Sequence, residues 1–250
     1  VADHAERMRA PRADWPAPVP VALPAGDSRF LDEAASLALL AARGLPVVEH
    51  RLCRTPAEAR AAFEAIGAPV AIKACSVDVP HKSEHGLVAL GIRDADTAEA
   101  VFTEQWEKLG TMGARRDGVL VAAMRRGLHE FMVGAKIDPV FGPVVLVGDG
   151  GRYVEALGDV AVLVPPFDVD EALATLGRLR IAPLYAGVRG EPAWDMRALA
   201  EIAIGIGRLV RDADGLIASL DVNPVIVGAV GEGAVIVDAL VERAGKGASA

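Results

Sequence analysis

The sequence is short of cysteine, aromatics and positive charge. Only Cys53 and Cys75 occur in 250 residues. Two cysteines make no disulfide framework, and no zinc-type spacing is present. Both are expected as buried, reduced thiols. Phe, Trp and Tyr together make up 4% of the chain, and the formal net charge is −8. That charge argues against nucleic acid as the main partner and against polybasic contact with a membrane. An anion bound here needs a local positive site. No apolar run is long enough for a transmembrane helix, and no charged segment followed by an apolar one marks a secretory signal. A cytoplasmic protein is the simplest expectation.

What is present is mostly Ala, Val, Leu and Ile, within a hydrophobic share of 52%. That is the makeup of helices packed on a buried sheet. Residues 1–27, rich in Pro, Ala and Arg, read as a linker with polyproline character. The chain opens on Val1, so it is expected to be a piece of a longer polypeptide or a processed one. The pattern predicts a helix over 28–43, with Asp27 or Ser28 as N-cap and Gly44 just past its end. A strand is expected over 46–53. Thr55 to Glu58 forms a capping box with Pro56 at the first helical position, and Gly67 ends that helix. Strands are expected over 69–75, 87–92 and 118–124, with a helix over 96–109.

A second set follows: strands over 131–137, 143–147 and 161–164, then helices over 168–179 and 194–210. It closes with strands over 216–222 and 234–241 around a Gly-rich turn, Val230 to Gly233. The strand–helix alternation is broken twice, so neither a simple dinucleotide fold nor a TIM barrel fits. Two α+β lobes with a cleft between them fit better. No repeat of fixed period is visible.

Several residues stand out for chemistry. Lys73 lies inside the apolar run PVAIKAC, and a half-buried ammonium is costly unless an anion meets it. A nucleotide phosphate is one such anion; a lysine snorkelling to the strand edge is the bland alternative. The polar loop from Ser76 to Gly86 carries Ser76, His81, Lys82 and Ser83. Such a loop can cover phosphates with its donors, and a neutral imidazole can attack phosphorus. A solvated turn is the other reading. Gly148 to Gly151 follows a strand but matches neither the dinucleotide fingerprint nor the P-loop. SLDVNPVIV sets Asp221 and Asn223 two apart, on one face of a strand, before Pro224 interrupts the ladder. Asp238, in AVIVDALV, is expected near Asn223 across the turn. Three oxygen-bearing side chains on one face suit Mg2+. An Asp bonded to backbone at a strand end is the alternative.

Together these segments resemble a known family. PVAIK, SVDVPHKSEHG, EFMVGAKIDPVFGPVVLVGDGGRYVEALGDV, APLYAGVRGEP and LDVNPVIV with VIVDA, in that order, are similar to the ATP-grasp unit of ADP-forming acyl-CoA synthetases, relatives of succinyl-CoA synthetase. The similarity covers residues 28–242. It implies an ATP-grasp fold of two lobes, about 46–125 and 127–242, with a flexible tail at 243–250. It implies ATP or ADP as cofactor, with Lys73 on its phosphates, Met124 in the hinge by the adenine and Glu130 nearby. It implies Mg2+ on Asn223 and Asp238, with Asp221 at the neighbouring acidic position. His81 matches the histidine that carries a phosphoryl group on the nucleotide-binding subunit. The implied reaction is phosphoryl transfer between nucleotide and a phosphohistidine, coupled to acyl-CoA and acyl-phosphate chemistry on a separate CoA-binding part or α-like subunit. That part is the expected partner.

This sequence departs from the family at three points. Ala122 stands where many relatives carry Gln or Glu before the hinge. Leu163 stands where relatives often carry Arg. Asp149 replaces a common apolar residue. These departures keep open a second expectation, a non-catalytic nucleotide-sensing module attached to another enzyme such as an acetyltransferase. A carboxylate–amine ligase of the same fold does not carry the His-Lys-Ser motif.

Overall fold

The computed structural model describes residues 13–67, 69–80, 82–150 and 159–245. Two antiparallel sheets organise them. The first has the order β1-β4-β2-β3, built from β1 (His50–Cys53), β2 (Val70–Cys75), β3 (Val88–Ile92) and β4 (Gly118–Ala123). Helices α2 (Pro56–Ile66) and α3 (Ala95–Thr111) cover one of its faces. Val70, Ile72, Val119 and Val121 pack there with Ala59, Ala62 and Phe102. The second sheet has the order β10-β8-β5-β6-β7: β5 (His129–Asp138), β6 (Gly142–Asp149), β7 (Val160–Leu163), β8 (Ile217–Val227) and β10 (Ala239–Arg243). Strand β9 (Ala234–Ile236) pairs with the far end of β8. Helices α4 (Val169–Leu176) and α5 (Met196–Asp212) pack on this sheet.

Half of the expected capping box is in place, and the return bond from Glu58 goes to the residue before the cap. Thr55 Oγ accepts from Glu58 N at 3.2 Å, and Glu58 Oε2 accepts from Arg54 N at 2.6 Å. Gly67 closes the helix in the left-handed region at φ 66°, where a Cβ is costly. Helix α1 is shorter than the pattern predicts and spans Glu33–Ala42. Its N-cap is Asp32, whose side chain accepts from Ala35 N at 2.9 Å; Asp27 and Ser28 lie before it. One apolar cluster holds Leu37 and Leu40 of α1, Leu120 and Ala122 of β4, and Val222 and Val241 of the second sheet. Helix α1 therefore sits where the two sheets meet, and its first turn faces both.

Part of the segment expected as linker is packed. Trp15 stacks edge-on against Phe167 at 5.5 Å and donates its indole N–H to Phe167 O at 2.7 Å. The guanidinium groups of Arg208 and Arg211 lie 5.5 and 5.2 Å from its ring centre. A Cβ on Gly207 would come within 2.8 Å of the Trp15 ring, so the helix is bare where the indole sits. Trp15→Ala is expected to cost about 2 kcal/mol, below the range for fully buried aromatics. Urea denaturation measures it; an unchanged midpoint overturns the claim that the segment stabilises the domain.

Candidate functional site

Strand β2 lies between β4 and β3, and all six of its residues are buried. Alternation sends Val70 and Ile72 into the core under α2 and α3. Lys73 and Cys75 project the other way, and Cys75 joins the cluster that contains α1. Lys73 is 5% exposed, so its ammonium must find partners inside the protein. It finds three. Nζ donates to Glu33 Oε1 at 2.7 Å, to Asp238 Oδ2 at 3.0 Å and to Val237 O at 3.3 Å. An anion was expected to meet this ammonium, and here it is a protein carboxylate pair.

Lys82 completes the group. It opens a short 3-10 turn, Lys82–His85. Its ammonium bonds the other oxygen of Glu33 and lies 3.7 Å from Asp238 Oδ1. Two ammonium ions and two carboxylates therefore share one site with no net charge. Burial opposes the charge on Lys73, but Glu33 and Asp238 outweigh it and hold its pKa above the ordinary lysine value. The same balance raises Lys82. Burial, then the nearby Glu33 charge, pushes the Cys75 thiol up. Cys53 is also pushed up by burial, to about 11. Both thiols are buried, as expected, and neither supplies a nucleophile near neutral pH.

Asp238 owes its place to a break in the sheet. The apolar run expected as one strand is two, β9 and β10, and Asp238 lies between them. Asn223 N donates to Asp238 O at 3.3 Å, and Val237 N to Pro224 O at 3.1 Å, so this loop is held against the middle of β8. Pro224 does not end β8 as expected. The strand continues to Val227, and its register against β5 shifts between the pairs Val133 with Val222 and Phe131 with Val225. Ordinary alternation sets Asp221 and Asn223 on the exposed face with Leu220 and Val222 buried, and the extra residue at the proline returns Val225 to the core. Asp221 pairs by backbone with Leu240 on one side and Gly134 on the other.

A small cleft opens at this point, lined by Asp32, Glu33, Ser76, Lys82, Asp238 and Leu240. Lys73, Lys82, Ser76 and Asp238 are thus brought together, with Asn223 beside Asp238. Ser76 is 5% exposed, and its Oγ accepts from Asp78 N at 3.2 Å. Ser83 is exposed on the 3-10 turn. Met124 follows β4, is 37% exposed, and donates its N–H to Pro69 O at 2.9 Å. Glu130 is exposed on β5, opposite Ile226. Its carbonyl accepts from Gly150 N at 2.8 Å. A Cβ on Gly150 would stand 2.4 Å from that oxygen, which explains one glycine of the turn. His81, Gly151, Arg152 and Glu155 lie outside the described residues.

Two departures acquire physical readings. Leu163 is 2% exposed and faces the helices, so this position does not look onto the open face of the sheet. Asp149 is paired: His129 Nε2 lies 2.5 Å from its Oδ1, and the imidazole stacks on Trp194 at 4.5 Å. Glu33 is the residue that sequence reading missed. The available signal was that it is the only charged residue in EAASLALLAA. An acid in the first turn of a helix ordinarily just complements the helix dipole.

Mg2+ takes hard oxygens and keeps several from water and phosphate, so one or two protein ligands suffice. The carboxylate of Asp238 and the side-chain amide of Asn223 fit that requirement. Among the described residues no three His, Cys, Asp or Glu side chains converge into a cage. None of the described helices is long and apolar enough to cross a membrane.

The ATP-grasp domain family matches residues 22–242. The β subunit of ADP-forming acetate–CoA ligase II from Pyrococcus furiosus is 36% identical over 207 residues, 80% of this chain and 86% of that subunit. ADP-forming acetate–CoA ligase I from Archaeoglobus fulgidus is 37% identical over 195 residues, 78% of this chain. This chain spans 28% of that longer protein. Among solved structures, an acetyl-coenzyme A synthetase of Ca. Korarchaeum cryptofilum in complex with coenzyme A and Ca-AMPCP superposes with a TM-score of 0.80. Identity is 30%, over 86% of this chain and 93% of that one. A further structure of that enzyme holds Mg-AMPPCP, with a phosphohistidine segment pointing towards its nucleotide-binding site.

Proposed function

Because this chain belongs to the ATP-grasp family, we propose that it is the nucleotide-binding part of an ADP-forming acyl-CoA ligase. It moves a phosphoryl group between ATP or ADP and a phosphohistidine. The CoA-binding part, whether a separate α-like subunit or another region of the same polypeptide, carries the acyl chemistry. The observation that carries this reading is the convergence of Lys82 and Asp238 at the cleft, with Lys73 bonded to Asp238 and Asn223 beside it. Two ammonium ions meet phosphate oxygens there, and hard oxygens stand ready for a metal.

In this reading Lys73 and Lys82 neutralise charge on the phosphoryl group, which is the main work a protein does in such transfers. Ser76 and Ser83 add donors to the phosphates. Met124 lies by the adenine and Glu130 near the nucleotide. Asn223 and Asp238 hold Mg2+, with Asp221 next to them. The ion, when bound, neutralises phosphate oxygens and fixes the line of transfer. His81 accepts the phosphoryl group, splitting a long transfer into short in-line ones. The ATP-grasp unit extends over 28–242, with lobes of about 46–125 and 127–242, and the protein works in the cytoplasm. A catalytically silent module gains nothing from Leu163, which faces the core.

Calorimetry of this chain with Mg-ATP should show one site. Labelled ATP should leave acid-labile phosphate on the wild type and none on His81→Ala. Label retained by that variant removes His81 from the mechanism. An isolated wild-type chain that does not bind Mg-ATP overturns the function.

A further inference from the structure

We infer that Glu33 is a positioning residue for phosphoryl transfer: its two oxygens fix both ammonium ions of the site, one each. This rests on the nucleotide-binding reading above and adds a residue to it. The geometry is specific. The Glu33 side chain is 1% exposed. Oε1 takes Lys73 at 2.7 Å and Oε2 takes Lys82. The two lysines come from different places, the buried strand β2 and the 3-10 turn after it.

A lysine is a point charge on a flexible stem, and two of them repel each other. Left alone, they would separate and wander. A single buried carboxylate between them sets their spacing and removes the repulsion. Its own position is rigid, because it sits in the first turn of α1, where Asp32 caps the helix and the helix dipole favours a negative charge. Through Lys82 it also ties the 3-10 turn to the place where the lobes meet. The backbone supports that tie: Leu87 N donates to Lys82 O at 3.0 Å, and Leu87 is fully buried. Asp238 differs. It is 27% exposed and belongs to the open side of the site. Glu33 lines the inner end of the cleft, but its side chain is 1% exposed and each of its oxygens is taken by a lysine.

A support of this kind has its own kinetic signature. Glu33→Gln removes one negative charge beside two ammonium ions, so ground-state binding of ADP should tighten, by roughly 3-fold or more. Phosphoryl transfer needs the ammonium ions at fixed points, and a misplacement near 1 Å costs about 100-fold. Turnover in the assembled ligase, with its CoA-binding part, should therefore fall by about 100-fold while KM for ADP falls or holds. A merely structural role predicts the opposite split, with weaker binding and lost thermal stability together. Glu33→Asp is the second variant and is measured even if the first does not fold. It keeps the buried charge but is one methylene too short to reach both lysines, so turnover should fall with ADP affinity unchanged. Wild-type turnover in either variant overturns the inference, as does a rise in KM that matches the loss in kcat. Failure of the nucleotide reading looks different, because then the wild-type ligase itself shows no ADP-dependent turnover.

Discussion

Lys73→Met is expected to destabilise the chain by about 3 kcal/mol, near the lower end of what a broken buried ion pair costs. The wild-type site balances two positive against two negative charges. Removing Lys73 leaves a net negative charge in a place where Glu33 is 1% exposed and cannot hydrate. Glu33 keeps Lys82 as a partner, and Asp238, 27% exposed, turns to water at little cost. Those two facts keep the loss away from the upper end of the range. The sign of the pH dependence follows from the direction of the shift. The pKa of Lys73 is raised on folding, so its contribution is fully present below the unfolded value of about 10.4. It is lost only as pH rises through the higher folded value. Urea denaturation at neutral pH is the measurement. The double variant Lys73→Met with Glu33→Leu should recover part of the loss, because an apolar pair of similar volume replaces a buried ionic one. A single variant with the wild-type midpoint means that water reaches Glu33 after all.

The same cluster marks the limit of what the sequence could tell. Lys73 and Asp238 were legible because each is a charge set in an apolar run, and such a charge needs compensation. That each is the other's compensation was not legible. The two are 165 residues apart, and the contact needs the break between β9 and β10 that the unbroken apolar pattern of AVIVDALV conceals. Pro224 misled for a related reason. Local chemistry says that a proline ends a ladder, whereas the shifted register lets β8 pass it and keep pairing to Val227. Glu33 was hidden by ambiguity: a buried carboxylate and a helix-capping acid look alike until tertiary packing separates them. The two-lobe plan was easier, because broken strand–helix alternation is a property of the whole chain and survives errors of two or three residues at each boundary.

The pairing also bears on how the proposed metal would act. Asp238 lends Oδ2 to Lys73 at 3.0 Å, and its Oδ1 stands 3.7 Å from Lys82. A phosphate arriving without metal competes with that carboxylate for the same ammonium ions and feels its charge. In the proposed reading, Mg2+ would give Asp238 a better partner and leave the lysines to the phosphates. Metal and nucleotide would then be coupled through one side chain, and coupling of this kind is typically worth 5- to 150-fold in affinity. Asp238→Asn removes the competing charge and the proposed metal ligand at once. Metal-free ADP should bind it about tenfold more tightly than wild type, and Mg-ADP about tenfold more weakly. Calorimetry with ADP in EDTA and in Mg2+, at matched ionic strength because exposed charges are screened, gives both numbers. Simple damage to the site weakens both. Asn223→Ala removes only a neutral donor, so it should weaken Mg-ADP and leave metal-free ADP as it is. An Asp238→Asn variant in which Mg2+ strengthens ADP binding as much as in the wild type places the metal on other residues.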